Sequence, residues 1–520
     1  MLLITAGKYI EAELASEFGK IPPCFLPIGN KRLFEHQLAA FKNEKNIFLS
    51  IPTCFSIDKQ DKIKLEEYRV TIIPVPMGLS LGRSILHCLE IMGNNLEPLK
   101  ILHGDTLISP IESDSNNIVS VASTNENYDW AVVTRTQNSI TFSSDQQDND
   151  TEILSGYFCF SSPKQYKKSL LESNEDFIDS LNDYSKNYIQ LKPRLQSDWL
   201  DFGHIHTYFS SKSKLTTQRS FNNLKITKRT VTKSSRKHFK MECESDWYKK
   251  TPPDLNLYTP KLLSTCKNTD TTSYTIEYLY LSTLNELFVF GKLPSNAWDR
   301  IFDSCNEFLE VCKAHPPETK LKIQTNSLFR EKTMRRIEEF SEKSSLDIHA
   351  KIIFNGEEVP SIHEQITHCC KQIRDSEDAD IGIMHGDFCF SNILYDFRAQ
   401  SILCIDPRGH IDEETKTIYG DRRYDVAKFY HSIIGDYDLI IAGRYKLHSQ
   451  DNKVNFNIEN PRSDLKDIII NRKLSGYSAN EIFPIMINLF FSMLPLHSDN
   501  KNRQQALLAN AVRLYKEYYL

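Results

Sequence analysis

The chain has 520 residues, more than one compact core usually fills, so two domains are expected. Hydrophobic residues make up 40% and charged residues 25% of the chain, which excludes a disordered or collagen-like protein. The formal net charge of -5 provides no general attraction for nucleic acid or an anionic membrane, so neither is expected as a partner.

Three further features favour a cytoplasmic protein. The 12 cysteines occur without a CxxC spacing, which favours a reducing compartment over a zinc site or a disulfide framework. The first residues lack the basic segment of a signal peptide, so none is expected. The longest apolar stretch, residues 482–496, is interrupted by Pro484 and Pro495 and falls short of the about 20 residues of a membrane span. It predicts a buried helix or pair of helices, and no membrane insertion.

Short apolar runs alternate with helical patterns through the first two hundred residues. The predicted elements are, in chain order, a strand at 2–5, a helix at 32–41, strands at 47–51 and 70–75, a helix at 84–92, and strands at 101–103 and 130–134. This alternation predicts an α/β domain with a mainly parallel, three-layer sheet. Ligands of such sheets lie at the carboxyl ends of the strands, so the residues that follow each strand are the candidates for function.

Several segments of this first half carry a family resemblance. They are FLPIGNKRLFEHQL at 25–38, PMGLSLG at 76–82, LHGD at 102–105, SGYF at 155–158 and WLDFG at 199–203. Together they resemble the sugar-phosphate nucleotidyltransferase family. The resemblance implies that Asp105 and Asp201 hold the Mg²⁺ of a nucleoside triphosphate, and that Gly78 and Gly82 lie in a loop that contacts the base.

The same half departs from that family at two places. Residues 6–12, AGKYIEA, have one glycine and no arginine where the family has a GxGxR loop, and Cys24 stands where a phosphate-contacting lysine is expected. Lys8, Lys20 and Lys31 are candidates to replace that lysine, with Lys31 counted among the nucleotide-binding residues. Nucleotidyl transfer and simple nucleotide binding therefore both stay open for this domain.

The composition changes over residues 211–240, which contain ten Lys or Arg and no Asp or Glu. This basic run predicts either a solvated linker into a new domain or a segment whose end covers a polyphosphate. The predicted boundary gives domains at 1–215 and 216–520.

A β-rich stretch, 226–280, precedes predicted helices at 299–314, 331–342 and 504–519. This order indicates a protein-kinase-like α+β bilobal domain, with a small lobe at about 222–282 and a helical lobe at about 283–520.

The most informative segment is HGDFCFSNIL at 385–394, followed by ILCIDPRG at 402–409. Phosphoryl transfer needs a carboxylate beside the acceptor hydroxyl, and oxygen ligands that hold magnesium on the nucleotide. Asp387 and Asn392 follow the apolar run at 381–384, and Asp406 ends the apolar run at 401–405. The pattern therefore predicts one candidate base and two candidate metal ligands that lie together.

This pattern resembles the aminoglycoside phosphotransferase and choline kinase family, whose catalytic loop has the form HGDxxxxN. The resemblance implies that Asp387 orients or deprotonates the acceptor alcohol, and that Asn392 and Asp406 bind Mg²⁺. Residues 419–427, YGDRRYDVA, resemble the GDxxYD segment that follows in this family. The resemblance implies that Asp425 braces the catalytic loop.

The resemblance also implies upstream residues that hold ATP. Residues 231–235, with Ser234 and Ser235, are the expected phosphate-covering loop. Lys240 is the expected strand lysine, with Lys237 as a competitor, and Glu244 is its expected partner. Residues 274–279, which include Glu277, have the look of the hinge strand whose backbone holds adenine.

Taken together, the two resemblances imply a bifunctional cytoplasmic enzyme. One domain phosphorylates a small alcohol or sugar with ATP, and the other activates the phosphoester with a second nucleoside triphosphate, CTP being favoured, for capsule or other surface-polysaccharide synthesis. The alternative is an active small-molecule kinase with a degenerate first domain that binds a nucleotide or a partner. The sequence leaves open the acceptor, the nucleobase and the oligomeric state.

Overall fold

The computed structural model describes residues 1–93, 97–109, 116–124, 128, 130–135, 140–144, 152–216, 223–319, 321, 326–344, 346–412, 414–450 and 452–520. The chain divides into two compact units, Met1–Leu215 and Thr216–Leu520. All strand and helix bounds below refer to the described residues.

The first unit combines a large sheet with seven described helices. Its strands are β1 (Leu2–Thr5), β2 (Pro27–Ile28), β3 (Lys31–Arg32), β4 (Ile47–Pro52), β5 (Val70–Val75), β6 (Leu99–His103), β7 (Thr106–Leu107), β8 (Ile118–Ser123), β9 (Val132–Arg135), β10 (Ile140–Ser143), β11 (Glu152–Phe160), β12 (Lys192–Leu195) and β13 (Leu200–Asp201). Its helices are α1 (Ala12–Phe18), α2 (Leu33–Ala40), α3 (Lys59–Glu67), α4 (Leu81–Met92), α5 (Pro163–Glu172), α6 (Phe177–Asn187) and α7 (Ile205–Leu215).

The main sheet of this unit is mixed, which corrects the expectation of a mainly parallel one. Strands β5, β4, β1 and β6 lie side by side and parallel. Strand β11 then pairs antiparallel with β6, β8 and β9, and β10 pairs antiparallel with β9. The physical reason is the short connection between β9 and β10, which cannot hold the crossover that a parallel pair requires.

Both faces of this sheet are buried. Leu3, Ile101 and Phe158 belong to a core cluster that also contains Tyr166 of α5 and Leu181 of α6. Leu2, Ile4 and Leu102 alternate with them along the strands and are equally buried. Since successive residues of a strand point to opposite faces, the sheet is covered on both sides, as the layered α/β expectation requires.

A buried ion pair holds the segment that enters α2. Arg32 is 1% exposed, and its Nε and Nη2 donate to Oδ2 of Asp61 at 3.0 and 2.8 Å. Its Nη1 donates to the carbonyl oxygen of Phe25 at 2.7 Å. Arg32 therefore ties β3 to α3 and to the chain before β2.

Replacing Asp61 by Ala should lower the free energy of unfolding of the first unit by about 3 kcal/mol, because it removes the carboxylate that accepts the Nε and Nη2 hydrogen bonds of the buried Arg32 guanidinium and leaves it with Asp58 at 3.6 Å. Denaturant titration of the full chain, followed by hydrogen exchange in peptides from residues 1–215, measures the effect. Lys64→Ala on the same helix breaks only the exposed pair with Glu67 and should leave the midpoint nearly unchanged. Equal effects of the two substitutions would contradict the structural role assigned to Arg32.

The second unit begins with a small sheet and continues into a larger, mainly helical part. Its strands are β14 (Asn223–Ile226), β15 (Thr230–Ser235), β16 (Leu262–Lys267), β17 (Thr272–Glu277), β18 (Ser282–Thr283), β19 (Ile352–Phe354), β20 (Glu357–Val359), β21 (Ile381–Ile383), β22 (Ile393–Asp396), β23 (Ser401–Cys404), β24 (Tyr419–Asp421), β25 (Lys446–Gln450) and β26 (Lys453–Asn457). Its helices are α8 (His238–Lys250), α9 (Leu284–Phe290), α10 (Ser295–Ala314), α11 (Lys332–Ser344), α12 (Ile362–Gln372), α13 (Arg423–Ile433), α14 (Tyr437–Ile441), α15 (Ser463–Ile470), α16 (Ala479–Met493) and α17 (Lys501–Tyr519).

The small sheet is antiparallel, in the order β14-β15-β17-β16, and α8 packs against it. In the helical part, β18, β22 and β23 form a second antiparallel sheet, and β21 pairs with β24. These two short sheets carry the chain on either side of residues 384–392. They thereby position the loop that contains Asp387.

Helix α16 and the turn after it form an apolar segment, Ala479–His497, with a mean hydropathy of 1.4 over its most apolar window. By length and composition this segment, alone among the described residues, could cross a membrane. However, 78% of that window is buried inside the protein, where α16 packs against α11, α12, α13 and α17. A core helix of this kind is what the interrupted apolar stretch at 482–496 predicts.

Candidate functional sites

In the first unit, two short strands bring the predicted metal carboxylates together. Asp105 lies in the turn between β6 and β7, and Asp201 ends β13, which pairs with β7 so that Asp201 faces Thr106. The Phe202 N–H donates to the carbonyl oxygen of Asp105 at 2.8 Å. A methyl group placed on Gly203 would lie 3.1 Å from Oδ2 of Asp105 and 3.5 Å from Oδ1 of Asp201. Both carboxylates therefore border one position.

The electrostatics of this pair favour a bound cation. Burial, and then the like charge of Asp105, raise the pKa of Asp201 to about 7. The Thr207 hydroxyl and the Gly203 N–H donate to Oδ2 of Asp201 and hold its orientation. Two carboxylates and the phosphate oxygens of a nucleotide form the ligand set that Mg²⁺ commonly takes, so these residues fit the metal.

Gln37 supports the Asp105 turn from helix α2, a role that the sequence analysis missed. Its side chain is fully buried, and its Nε2 donates to the carbonyl oxygens of His103, Gly104 and Thr106 at 3.1, 3.2 and 2.8 Å. One amide thus fixes the backbone on both sides of Asp105. The nearest signal in the sequence is the position of Gln37 within the motif at 25–38.

A cleft of about 370 Å³ opens beside Asp201. Trp130 and Trp199 line it, with ring centroids 5.4 Å apart, together with Thr207 and Lys214. The cleft thus combines a carboxylate with aromatic faces and one cation. It has the mixed character of a small-molecule site.

Among the described residues, no contact joins the other predicted nucleotide-binding residues of this unit to the two carboxylates. Lys31 is exposed on β3, and no hydrogen bond or ion pair joins it to Asp105 or Asp201 in the described part of the chain. Gly78 is exposed with a φ of +84°, which favours glycine without requiring a ligand. Gly82 lies in the first turn of α4, where a Cβ would come within 2.2 Å of the Glu175 carbonyl oxygen. Close helix packing therefore explains that glycine.

In the second unit, the loop between β21 and β22 presents Asp387. The Asn392 Nδ2 donates to Oδ2 of Asp387 at 2.9 Å and to its carbonyl oxygen at 3.0 Å. The Asp387 side chain is 41% exposed, and Lys428 Nζ lies 2.8 Å from its Oδ1. Burial alone would lower the pKa of Lys428, but the carboxylate of Asp387 holds this pKa above its usual value. Asp387 is thus a fixed, solvent-accessible carboxylate beside a cation.

Asp425 holds the backbone of the same loop. Its Oδ2 accepts from the His385 N–H and its Oδ1 from the Gly386 N–H, both at 2.7 Å. Burial raises the pKa of Asp425 to about 7. Since both carboxylate oxygens are used on backbone amides inside the protein, Asp425 is placed to position the loop, and it does not reach a substrate.

Asn392 and Asp406 lie at adjacent ends of β22 and β23. These strands pair with Ile393 opposite Cys404, and the Ile405 N–H donates to the carbonyl oxygen of Asn392 at 2.9 Å. Asp406 has a φ of +59°, an uncommon conformation that turns the chain directly after β23. An amide oxygen and a carboxylate are hard ligands suited to Mg²⁺ with nucleotide phosphates, so these residues also fit the metal.

The lysine that pairs with Glu244 is Lys233, which corrects the assignment of Lys240. Lys233 Nζ lies 2.7 Å from Oε2 of Glu244 and 3.2 Å from Oδ1 of Asp406. Burial alone would lower the pKa of Lys233, but the carboxylates of Asp406 and Glu244 raise this pKa above its usual value. Lys240 lies on helix α8 with a 37% exposed side chain, 3.7 Å from the other oxygen of Glu244. Its position one helical turn before Glu244 explains that contact, and it is not on a strand.

The residues expected to cover the phosphates are also strand residues. Residues 231–235 belong to β15, because the β-branched run Thr230, Val231 and Thr232 pairs with both β14 and β17. Ser234 and Ser235 therefore do not form a loop. Segment 217–222, which precedes β14, lies outside the described residues. Glu277 is the exposed last residue of β17 and lies within 274–279, the segment predicted as the hinge.

These contacts give a direct test of which lysine serves the nucleotide. Lys233→Met should lower ATP-dependent turnover about 100-fold or more, because it removes a buried cation beside Asp406 from the phosphate site. Lys240→Met should change turnover less than about threefold, because its partly exposed pair is weak. Steady-state rates at saturating acceptor, with circular dichroism as a check of folding, decide the matter. A larger loss for Lys240→Met would restore the assignment of Lys240.

In the part of the chain that the structure describes, no three His, Cys, Asp or Glu side chains group as they would in a self-contained metal site. Each candidate metal position instead has two oxygen-bearing side chains. Mg²⁺ at either position would take its further ligands from phosphate oxygens of the nucleotide and from water.

No family model matches the chain, and no curated protein matches it. Similar solved structures include nucleotidyltransferases and aminoglycoside phosphotransferases. CTP:phosphocholine cytidylyltransferase from Streptococcus pneumoniae is 13% identical with a TM-score of 0.32, over 41% of this chain and 98% of that chain. HddC from Yersinia pseudotuberculosis is 16% identical with a TM-score of 0.32, over 41% and 99%. A thermostable mutant of aminoglycoside phosphotransferase APH(4)-Ia is 11% identical with a TM-score of 0.37, over 58% and 93%.

A cytidylyltransferase and an aminoglycoside phosphotransferase are the two kinds of enzyme that the sequence motifs resemble. The likeness concerns the fold. At these TM-scores it carries no argument about activity, which rests on the side chains described above.

Proposed function

We propose that this chain is a bifunctional transferase. Its second unit transfers the γ-phosphoryl group of ATP to a hydroxyl group of a small alcohol or sugar. Its first unit then joins the phosphoester to a nucleotidyl group, with CTP as the favoured donor, to make an activated precursor for bacterial capsule or lipopolysaccharide. The observation that carries the kinase assignment is the grouping of Asp387 and Asn392 on one loop with Asp406, Lys233 and Glu244 beside it.

In the phosphoryl transfer, Asp387 accepts the proton of the acceptor hydroxyl as the oxygen attacks the γ-phosphorus of ATP and ADP leaves. Asn392 orients the Asp387 carboxylate through its Nδ2, and Asp425 fixes the loop backbone. Asn392 and Asp406 would hold Mg²⁺, which supplies charge neutralisation at the phosphates when it is bound. Lys233 adds a positive charge next to Asp406, on the side of the nucleotide phosphates.

In the nucleotidyl transfer, a phosphate oxygen of the phosphoester attacks the α-phosphorus of the nucleoside triphosphate, and pyrophosphate leaves. Asp105 and Asp201 would hold Mg²⁺ there, and Gln37 fixes the turn that presents Asp105. The cleft lined by Trp130 and Trp199 is the proposed site of the phosphoester's organic group.

The experiment that tests both steps is a screen of small alcohols and sugars with ATP and Mg²⁺, measuring ADP formation. CTP, and separately each other nucleoside triphosphate, is then added, and the product mass and pyrophosphate are measured. ADP and pyrophosphate formation with one acceptor supports the bifunctional enzyme. Absence of ADP formation with every acceptor, together with no binding of ATP, would refute the kinase.

One observation favours a second candidate, a kinase whose first unit only binds a nucleotide or a partner. The chain after β1 has a single glycine and no arginine in the place of the GxGxR loop. Calorimetric titration of each nucleoside triphosphate with Mg²⁺ distinguishes the candidates, because binding without pyrophosphate release is expected only from the second.

A cytoplasmic location is part of the proposal. All 12 cysteines are free, and most of them are buried. Unpaired cysteines in this number are typical of proteins in a reducing compartment.

Each unit contains its own buried core, so we expect the fragment 216–520 to fold and to phosphorylate the acceptor without the first unit. Tethering would then act mainly by raising the local concentration of one unit's product near the other, to about millimolar for a short flexible link. Turnover per site of the fragment, compared with that of the full chain, is the measurement. A folded fragment that stays inactive until residues 1–215 are added back would show that the first unit completes the kinase site.

A further inference from the structure

A cleft of about 560 Å³ lies in the second unit beside the catalytic loop. Lys332, Arg335 and Arg336 of α11 line one part of it, and Arg408 and His410, from the chain after β23, line another. The cleft therefore gathers four basic side chains, one lysine and three arginines. This concentration stands out in a chain whose net charge is -5.

No salt bridge joins these four basic groups to a carboxylate among the described residues, although Glu339 acts electrostatically on Arg335 and Arg336, and Asp412 on Arg408. Arg336 Nη1 donates to the carbonyl oxygen of Ser492, and Arg408 Nη2 to that of Ile411, both at 3.0 Å. Lys332 Nζ and Arg408 Cζ both lie over the ring of Tyr424, at 5.4 and 5.9 Å from its centroid. Two basic groups thus contact one aromatic ring.

The charges repel one another in the protein as it stands. Burial, and then the positive charges of Arg408 and Arg336, hold the pKa of Lys332 well below its usual range. Three acids also border the cleft: Glu331, Asp412 and Glu414. The Asp412 carboxylate already accepts hydrogen bonds from the Glu414 and Thr415 backbone and from the Thr415 hydroxyl. Glu331 and Glu414 are exposed.

The cleft adjoins the catalytic loop on the side of Asp387. The Arg408 N–H donates to the carbonyl oxygen of His385 at 2.7 Å, and a Cβ on Gly386 would meet the Arg408 side chain at 2.6 Å. Tyr424, the ring under Lys332 and Arg408, belongs to the helix whose Lys428 contacts Asp387. Lys233, in contrast, lies on the small sheet and forms an ion pair with Asp406.

We infer that the acceptor of the proposed kinase is an anion: a small alcohol or sugar that carries a phosphate or carboxylate group besides the hydroxyl that reacts. This inference rests on the proposed function. Lys and Arg groups that form no salt bridge in a partly buried cleft bind oxyanions through charge-assisted hydrogen bonds and disfavour a cation. The same charges work against a quaternary ammonium or polyamine acceptor.

The test uses the full chain with Mg²⁺ and saturating AMP-PNP, so that nucleotide occupies its own site. Equilibrium dialysis measures binding of labelled inorganic phosphate, glycerol 3-phosphate, glycerate, glycerol and choline. The three anions should bind, and glycerol and choline should bind at least about tenfold more weakly. The order of glycerol 3-phosphate and glycerate then tells whether the group is a phosphate or a carboxylate.

Single substitutions locate the binding. Lys332→Met, Arg335→Gln and Arg336→Gln should each weaken anion binding about tenfold or more, and Lys343→Gln should leave it unchanged. Lys343 lies on the same helix but is exposed and paired with Glu339. Three separate variants keep the test valid if one of them fails to fold, which circular dichroism shows.

Three outcomes would overturn the inference: equal binding of choline and the anions, anion binding that none of the three variants weakens, or phosphate binding that is seen only when AMP-PNP is left out, which would assign the cations to the nucleotide. Failure of the proposed function looks different. In that case the anions would still bind, and the α11 variants would still weaken their binding. AMP-PNP would not bind, and Asp387→Asn would not change the rate of ATP-dependent phosphorylation.

Discussion

Replacing Asp387 by Asn is expected to lower ATP-dependent phosphorylation of the acceptor about 10²–10⁴-fold. The substitution removes the group that accepts the hydroxyl proton and keeps the side-chain volume. Because the carboxylate is 41% exposed and its backbone is held by Asp425, we expect the fold and nucleotide binding to persist. Turnover at saturating acceptor and the Kd for AMP-PNP, measured on the same preparation, separate the catalytic effect from binding.

Asp396→Asn is the matched control for this variant. Asp396 lies at the end of β22, where it accepts hydrogen bonds from the Arg398 and Ala399 N–H groups. Asn can accept the same bonds, so turnover should stay close to that of the wild-type protein. Near wild-type turnover of Asp387→Asn would mean that another group accepts the proton, and the assignment of this loop would be wrong.

The second large effect is expected in the first unit. Asp105→Ala and Asp201→Ala should each abolish Mg²⁺-dependent pyrophosphate release, because a single carboxylate cannot hold the metal against the triphosphate. Kinase turnover of the same variants should be unchanged. Pyrophosphate release with the phosphorylated acceptor as co-substrate is the measurement.

Asp198→Ala provides the control, since Asp198 is exposed and accepts a hydrogen bond from the Ser109 N–H near the same strands. It should retain pyrophosphate release. If the wild-type protein released none with any nucleoside triphosphate, the second candidate, a kinase with a binding domain, would replace the bifunctional enzyme. Release that survives loss of either carboxylate would show that the metal site is elsewhere.

Local sequence patterns predicted several elements closely. The strands predicted at 2–5 and 70–75 have the bounds of β1 and β5, and the closing helix predicted at 504–519 begins at Lys501. These segments carry strong apolar runs or helical spacing, so the chain itself sets their structure. The antiparallel side of the first sheet has no such signature, because the direction of a strand pair depends on its connections.

The contact between Asp387 and Asn392 was likewise predictable from sequence, because both residues lie within one short segment. The strand lysine was not. Lys240 and Glu244 have the spacing of an ion pair, and they do lie 3.7 Å apart, but on one helix. Lys233 and Glu244 are brought together by the turn from β15 into α8, whose place no local pattern reveals.

The side chains that support Asp105 and Asp387 could not be predicted from the sequence for a related reason. Gln37 binds carbonyl groups that follow β6, far along the chain. Lys428 reaches Asp387 from a helix that begins after β24. Each is an ordinary polar residue on a helix until the fold places its partner, so a single sequence offers no means to single it out.

Helix α13 carries both Asp425, which grips the loop backbone, and Lys428, which contacts the Asp387 carboxylate. Because both residues belong to one helix, α13 sets the position of the Asp387 carboxylate relative to the backbone of its loop. Its buried side rests on α16, where the rings of His431 and Phe490 lie 4.5 Å apart. The alignment of Asp387 in the proposed reaction therefore depends on packing between α13 and α16. A substitution that slightly alters the contact between His431 and Phe490 should first lower the turnover of the proposed kinase at unchanged substrate affinity. A lower melting temperature of the protein should appear only with larger changes.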